Sequence, residues 1–186
     1  MVIILTGASH TGKTWLAQRL TETCGIPYFS LDLLKMGMIR SGYTALTPED
    51  DEALTALLWP VVREMIRTAI ENGRHLVVEG GYVPFTWAAG FSDREREQIR
   101  CFFLVMSPAY IREHFGVIKA FAQAAEKRMD DGWCTEEFLL ADNARYRSGC
   151  RAHGIPFLDM GGADFPPAAA DGIIKDVQQY LGGKHV

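Results

Sequence analysis

The sequence has few cysteines and lacks the cysteine pairs that bind zinc or form redox-active disulfides. None of its four cysteines belongs to a C-x-x-C pair or stands with histidine at zinc-ligand spacing. We therefore expect reduced thiols rather than a disulfide framework or a structural zinc site. The four positions are Cys24, Cys101, Cys134 and Cys150.

The sequence also lacks a long apolar run, a charged leader and an excess of positive charge. No run approaches the length that spans a bilayer, and the apolar start is too short for a signal peptide. A formal net charge of -4 argues against a protein that neutralises many nucleic-acid phosphates. We expect a cytoplasmic protein whose partner is a small molecule, with no nucleic acid and no membrane. Monomer and homodimer both stay open.

What the sequence does contain is a glycine loop directly after an apolar run. Residues 7–14 match the pattern G-x-x-x-x-G-K-[ST], in the order Gly7, Ala8, Ser9, His10, Thr11, Gly12, Lys13 and Thr14. Such a loop points successive backbone N–H groups at one anion, and the following helix adds the positive end of its dipole. We expect Lys13 to reach the β- and γ-phosphates of a nucleotide and Thr14 to hold Mg²⁺. The pattern leaves the position of His10 free, which predicts an exposed side chain there.

Strand-like runs alternate with helical patterns along the chain. The runs lie at residues 2–6, 27–31, 75–78, 99–106 and 155–158. This alternation predicts an α/β fold with a parallel sheet between two layers of helices. Helix starts are expected at Thr47, as an N-cap followed by a proline, at Ser107 and at Thr135. No linker or repeat marks a second domain, so residues 1–186 are expected to form one.

Two carboxylates stand just after predicted strands, where open α/β sheets bind their ligands. Glu79 has apolar neighbours, so its charge requires a partner, either Mg²⁺ or the backbone of the following glycine turn. Asp32 is either a base that accepts a hydroxyl proton or the cap of the next helix. One residue could serve both purposes.

A basic stripe runs along the helix predicted after Ser107 and is either a solvated face or part of a lid over the phosphates. Its members are Arg112, Lys119, Gln123 and Lys127. The candidates for contact with the transferring phosphoryl group are Arg112, Lys127, Arg128 and Arg145. The aromatic segment 82–87 either lines an acceptor pocket or covers the core.

The order of these motifs along the chain resembles that of the P-loop small-molecule kinases. This group includes adenylate, shikimate and gluconate kinases and chloramphenicol phosphotransferase. The resemblance implies a P-loop NTPase of three layers, α/β/α, with about five parallel strands, a helical lid, ATP as donor and Mg²⁺. It also implies that the Glu79 strand lies beside the Gly7 strand. Its parts are a core (1–31, 74–106 and 154–186), an acceptor-binding helical region (32–73) and a lid (about 107–134).

The segment from Phe29 to Lys35 is similar to the acceptor segment of adenylate kinases, which carry arginine where Lys35 stands. They carry a second arginine after the third strand, where residues 79–84 contain none. Lysine does not replace arginine at a bidentate phosphate contact. The sequence therefore favours a hydroxyl acceptor over a nucleoside monophosphate.

The leading hypothesis is an ATP-dependent kinase that phosphorylates a hydroxyl, or a phosphate, of a small metabolite or antibiotic-like molecule. The alternatives are an adenylate or nucleoside monophosphate kinase, a nucleotide-binding module without catalysis, and a glycine turn that binds nothing. A GTP switch is disfavoured, because the candidate switch motif at 159–162 follows the last strand and no N-K-x-D motif exists.

Overall fold

The computed structural model describes residues 1–125, 132–161 and 168–183. Within these ranges five parallel strands form one sheet. They are β1 (Val2–Gly7), β2 (Tyr28–Ser30), β3 (Leu76–Glu79), β4 (Ile99–Val105) and β5 (Phe157–Asp159). Their order across the sheet is β2-β3-β1-β4-β5, so β1 lies in the centre and β3 is its neighbour.

Helices connect these strands and cover both faces of the sheet. They are α1 (Lys13–Cys24), α2 (Leu31–Arg40), α3 (Asp51–Glu71), α4 (Asp93–Arg96), α5 (Pro108–Ala125), α6 (Glu136–Ala152) and α7 (Ala168–Gly182), with a short 3-10 helix at Trp87–Gly90. None of the helices in the described ranges is both long and apolar enough to cross a membrane.

The central strand β1 explains why the sheet has a helical layer on each side. All six of its residues are buried. Ile3 and Leu5 pack in one cluster with apolar residues of α1 and α7, whereas Val2 and Ile4 pack in another with residues of α2 and α3. A strand buried on both faces is typical of parallel α/β sheets. The predicted three-layer α/β/α architecture is confirmed.

The five predicted strands are present, with ends that differ by one or two residues. The predicted cap at Thr47 is wrong, because α3 begins at Asp51 with Asp50 in the capping position. The carboxylate of Asp50 accepts hydrogen bonds from the N–H of Thr47 at 2.7 Å and from its hydroxyl at 2.9 Å. Thr47 therefore belongs to a turn before the helix. The predicted starts after Ser107 and Thr135 are confirmed.

Candidate functional site

The glycine loop joins β1 to α1 at the centre of the sheet. Gly7 has a φ of +125°, and a Cβ atom there would lie 2.1 Å from the carbonyl oxygen of Leu104 in β4. Only glycine fits this approach between two backbones. Gly12 has a φ of +81° and directly precedes the first residue of α1. The loop therefore leads into a helix N-terminus, where backbone N–H groups and the helix dipole favour an anion.

Lys13 lies over the loop and contacts its backbone. Its Nζ donates a hydrogen bond of 2.6 Å to the carbonyl oxygen of Ala8. The hydroxyl of Thr11 donates to the same oxygen at 2.8 Å. The ammonium group is thus held within the anion-binding loop, the place from which a P-loop lysine contacts phosphates.

Thr14 and Glu79 meet beside this loop. Glu79 ends β3, which pairs with β1, and its side chain is 2% exposed. The hydroxyl of Thr14 donates to Oε1 of Glu79 at 3.1 Å. A hydroxyl and one carboxylate fit Mg²⁺, which prefers oxygen ligands and takes the rest from water and phosphates. No group of three or more His, Cys, Asp or Glu side chains that could hold a metal occurs among the residues the structure describes.

The prediction that His10 is exposed is wrong. Its side chain is 6% exposed, and its backbone has a φ of +62°. The ring lies 5.8 Å from the ring of Trp133, and Nδ1 lies 3.8 Å from Sγ of Cys134. Residues just before α6 therefore cover this part of the loop, which loop spacing alone does not reveal.

Asp32 is not the cap of α2, since Ser30 occupies the capping position and Asp32 is the second helical residue. One carboxylate oxygen of Asp32 lies 2.7 Å from Nζ of Lys35, and 56% of the Asp32 side chain is exposed. The same Nζ donates to the hydroxyl of Tyr82 at 2.9 Å. Burial lowers the pKa of Lys35, but the charge and hydrogen bond of Asp32 outweigh it, so this pKa is raised from its usual value.

The polar cluster of Asp32, Lys35 and Tyr82 and the glycine loop follow the ends of three neighbouring strands. Asp32 follows β2, Tyr82 follows β3 and the glycine loop follows β1, and these three strands are neighbours. Adjacent strands lie about 4.8 Å apart, so β2 lies about 10 Å from β1, with β3 between them.

Asp51, the first residue of α3, lies near the same cluster. Desolvation raises its pKa, while the positive charges of Arg145 and Lys35 and a hydrogen bond from Tyr82 lower it in part. Arg145 lies on α6, so this helix contributes a positive charge between the loop and the cluster.

The aromatic segment 82–87 serves both of the purposes considered from the sequence. Tyr82 is 7% exposed and contacts Lys35 in the polar cluster. Phe85 packs instead on the ring of Phe103, at 5.7 Å, and on that of Tyr146, also at 5.7 Å. Tyr82 therefore borders the site, and Phe85 covers the core.

Asp142 is a site residue that the sequence analysis missed. Its Oδ2 accepts a hydrogen bond of 2.7 Å from the backbone N–H of Ser9, which is 133 positions away in the chain. Its Oδ1 lies 2.9 Å from Nη2 of Arg145. A loop-to-helix contact this distant leaves no local pattern in the sequence.

Two of the other predicted cations lie on α5. Arg112 is exposed on α5. Lys119, on the same helix, donates a hydrogen bond of 3.1 Å to the carbonyl oxygen of Cys134. Lys127 and Arg128 lie outside the described residues. Among the predicted cations that are described, Arg145 is paired with a residue that contacts the glycine loop.

Comparisons with known proteins agree in fold. No family model matches the chain, and no curated protein matches it. Among solved structures, a candidate kinase from Chloroflexus aurantiacus matches with a TM-score of 0.55 and 22% identity over 98% of this chain and 96% of its own. Shikimate kinase from Bacteroides thetaiotaomicron matches with a TM-score of 0.54 and 13% identity over 98% of each chain. Deoxyadenosine kinase from M. mycoides matches with a TM-score of 0.55 and 10% identity over 98% of this chain and 100% of its own.

These similarities run along nearly the whole length of both chains in each pair. The chain therefore shares the fold of these structures, a parallel sheet between two layers of helices.

Proposed function

We propose that the protein is an ATP-dependent phosphotransferase that moves the γ-phosphoryl group to a hydroxyl of a small molecule. The observation that carries this proposal is the placement of two unlike sites at neighbouring strand ends. A phosphate-binding loop follows β1, and a cluster of carboxylate, ammonium and phenol groups follows β2 and β3. The end of β3 lies next to that of β1, and the end of β2 lies one strand further across the sheet.

The loop residues bind the donor. Backbone N–H groups and Lys13 bind the β- and γ-phosphates, and they neutralise charge as the phosphoryl group leaves ADP. Thr14 and Glu79, already joined by a hydrogen bond of 3.1 Å, would hold Mg²⁺, which supplies further positive charge at the phosphates.

The acceptor lies between the loop and the polar cluster. Its hydroxyl oxygen forms a bond to the γ-phosphorus while the bond from that phosphorus to the bridging oxygen of ADP breaks. The hydroxyl proton passes to the carboxylate of Asp32, which is more than half exposed and therefore open to a ligand. Lys35 orients this carboxylate through their contact of 2.7 Å.

The charges in the cluster favour a hydroxyl over a phosphate acceptor. Lys35 is engaged by the carboxylate of Asp32 and by the hydroxyl of Tyr82. Arg145 is engaged by Asp142 at 2.9 Å. A nucleoside monophosphate would have to compete with carboxylates for both cations, and Asp51 adds a further negative charge nearby. AMP is therefore expected to be a poor acceptor.

Transfer of radiolabel tests the proposal directly. The protein is incubated with Mg²⁺, γ-labelled ATP and a small-molecule extract of cells, and the products are separated by chromatography. We expect label in a compound other than inorganic phosphate and ADP. AMP replaces the extract in a parallel reaction, and efficient formation of labelled ADP there would favour the nucleoside monophosphate kinase instead.

Lys13→Ala is the matched control, because Lys13 contacts the loop rather than the apolar core. This variant should keep the circular dichroism and melting temperature of the wild type and lose transfer by at least about a hundredfold. Wild-type protein that binds ATP without transferring label would support a binding module. Unchanged transfer by Lys13→Ala would contradict the assignment of the loop.

A further inference from the structure

The carboxylate of Asp142 joins the glycine loop to a cation. One oxygen accepts from the N–H of Ser9 at 2.7 Å, and the other lies 2.9 Å from the guanidinium of Arg145. The Asp142 side chain is only 9% exposed. Because hydrogen bonds to an ionised carboxylate are among the stronger ones in proteins, this bridge limits how far the loop and the cation can move apart.

The next residue, Asn143, fixes the rotation of α6. Its Oδ1 accepts from the N–H of Met106 at 2.7 Å, at the end of β4. Its Nδ2 donates to the carbonyl oxygen of Leu139 at 2.8 Å, and the residue is 1% exposed. With Asn143 held against the sheet, the neighbouring Asp142 contacts the loop after β1. The two neighbouring side chains thus attach α6 to two adjacent strand ends.

Arg145 lies one turn further along α6, near both the glycine loop and the polar cluster. Its guanidinium carbon is 4.4 Å from the centre of the Tyr146 ring, and 56% of its side chain is exposed. Desolvation raises the pKa of Asp51 beside the polar cluster, and the positive charge of Arg145 offsets part of that rise. A guanidinium has five N–H donors, so the bond to Asp142 leaves others to reach a ligand.

A free arginine side chain must give up about 2 kcal/mol of conformational entropy to adopt one rotamer. Asp142 and the ring of Tyr146 already restrict the guanidinium of Arg145. Less conformational entropy is therefore lost when Arg145 binds the reacting group. Preorganised cations of this kind contribute strongly to phosphoryl transfer.

We propose that Asp142 is a positioning residue that sets the guanidinium of Arg145 beside the transferring phosphoryl group by anchoring it to the backbone of Ser9. This inference rests on the proposed phosphotransferase function. Arg145 makes the contact with the phosphoryl group, and Asp142 acts through it.

Asp142→Asn tests the role of the charge. The amide oxygen can still accept from Ser9, but the attraction to Arg145 is lost. In the label-transfer assay with extract and a series of ATP concentrations, we expect kcat to fall about tenfold or more while the KM for ATP changes less than threefold. Glu137→Gln removes one exposed carboxylate from the first turn of the same helix and should leave both constants unchanged.

A double-mutant cycle separates positioning from a general effect on structure. If Asp142 acts through Arg145, Asp142→Asn should reduce kcat little further in a protein that already carries Arg145→Gln. Melting temperatures of the wild type, the two single variants and the double variant show whether the losses in stability parallel the losses in kcat. Independent, multiplicative losses in kcat would overturn the proposal, as would an unchanged or increased kcat for Asp142→Asn alone.

Asp142→Glu keeps the test decisive if the asparagine variant fails to fold. It retains both the charge and the acceptor oxygens but moves the carboxylate by one methylene, and it should lower kcat at least threefold in folded protein. Full activity would overturn the proposal. Wild-type protein that transfers no label contradicts the phosphotransferase function itself, whereas active wild type with an equally active Asp142→Asn variant contradicts only the role of Asp142.

Discussion

The hydroxyl of Thr14 donates a hydrogen bond to the carboxylate of Glu79 at 3.1 Å, across 65 positions of sequence. Thr14 is the second residue of α1, at the end of the glycine loop, and Glu79 ends β3, the neighbour of the loop's own strand. The contact therefore unites the two protein oxygens proposed to hold Mg²⁺. It forms because parallel pairing of β1 with β3 brings the carboxyl ends of both strands to the same edge.

Glu79→Gln should weaken magnesium-dependent binding of nucleotide. The amide has nearly the shape of the carboxylate but carries no negative charge for the cation. We expect the dissociation constant of ATP with Mg²⁺ to rise at least about tenfold, while the constant measured with EDTA changes little. Titration calorimetry with and without Mg²⁺ measures both. An equal change under the two conditions would count against a role for Glu79 in holding the metal.

Asp32→Asn should lose most of its turnover and keep its affinity for ATP, because the amide cannot accept the acceptor's proton. Its stability should fall by less than about 1 kcal/mol, since the pair with Lys35 lies partly in solvent and Asp32 caps no helix. Kinetics and urea unfolding measure the two quantities.

Glu22→Gln is the matched control for Asp32→Asn, because it breaks an exposed pair with Arg19 of the same spacing, at 2.8 Å. It should change neither turnover nor stability noticeably. An Asp32→Asn variant with normal turnover and a lowered melting temperature would show that the aspartate is structural.

Gly7→Ala should destabilise the fold by at least about 2 kcal/mol. The new methyl group would lie 2.1 Å from the backbone oxygen of Leu104 at a φ of +125°, and neither strand can yield without losing pairing. Gly37→Ala is the control, because a Cβ in that part of α2 meets nothing within 4 Å. It should stabilise the protein by about 0.5–1 kcal/mol. Urea unfolding of both variants tests the contrast, and equal effects would be inconsistent with it.

Stability should fall as the pH rises from about 10 to about 12. Burial raises the pKa of Tyr146 to about 12, from the value of 10.0 that an exposed tyrosine has. Below pH 10 the phenol is protonated in both states. Between these values the unfolded chain loses its proton first, which favours unfolding by about 2–3 kcal/mol in total.

Tyr146→Phe isolates this contribution from those of other groups that titrate in the same range. At neutral pH the variant should be about 1 kcal/mol less stable, because the hydroxyl donates a hydrogen bond of 2.8 Å to the carbonyl oxygen of Gly81. Its stability should then fall less steeply with pH than that of the wild type. Parallel slopes from unfolding curves at several pH values would refute the assignment.

The features that the sequence alone could predict are those that depend only on residues close together in the chain. The loop from Gly7 to Thr14 follows a fixed spacing, and β1 is a continuous apolar run, so the sequence predicts both. The position of Glu79 at a strand end was equally local. Its partner was not, because either Mg²⁺ or the backbone of the following glycine turn could have satisfied its charge.

The remaining site residues depend on contacts between distant parts of the chain. His10 is covered by Cys134, which lies 124 positions further on, and Asp142 contacts Ser9 from a helix whose own pattern gives no hint of it. Thr47 shows the same limit at short range. Threonine followed by proline is a common helix start, but the carboxylate of Asp50 accepts hydrogen bonds from Thr47 and holds it in a turn, and α3 begins only after Asp50.

The edge-on contact between Trp133 and His10 gives the protein an internal optical reporter. The indole is half exposed, and it lies 5.8 Å from the ring of His10 in the glycine loop. We expect movement of that loop to change the polarity and quenching around Trp133, one of the four tryptophans of the chain.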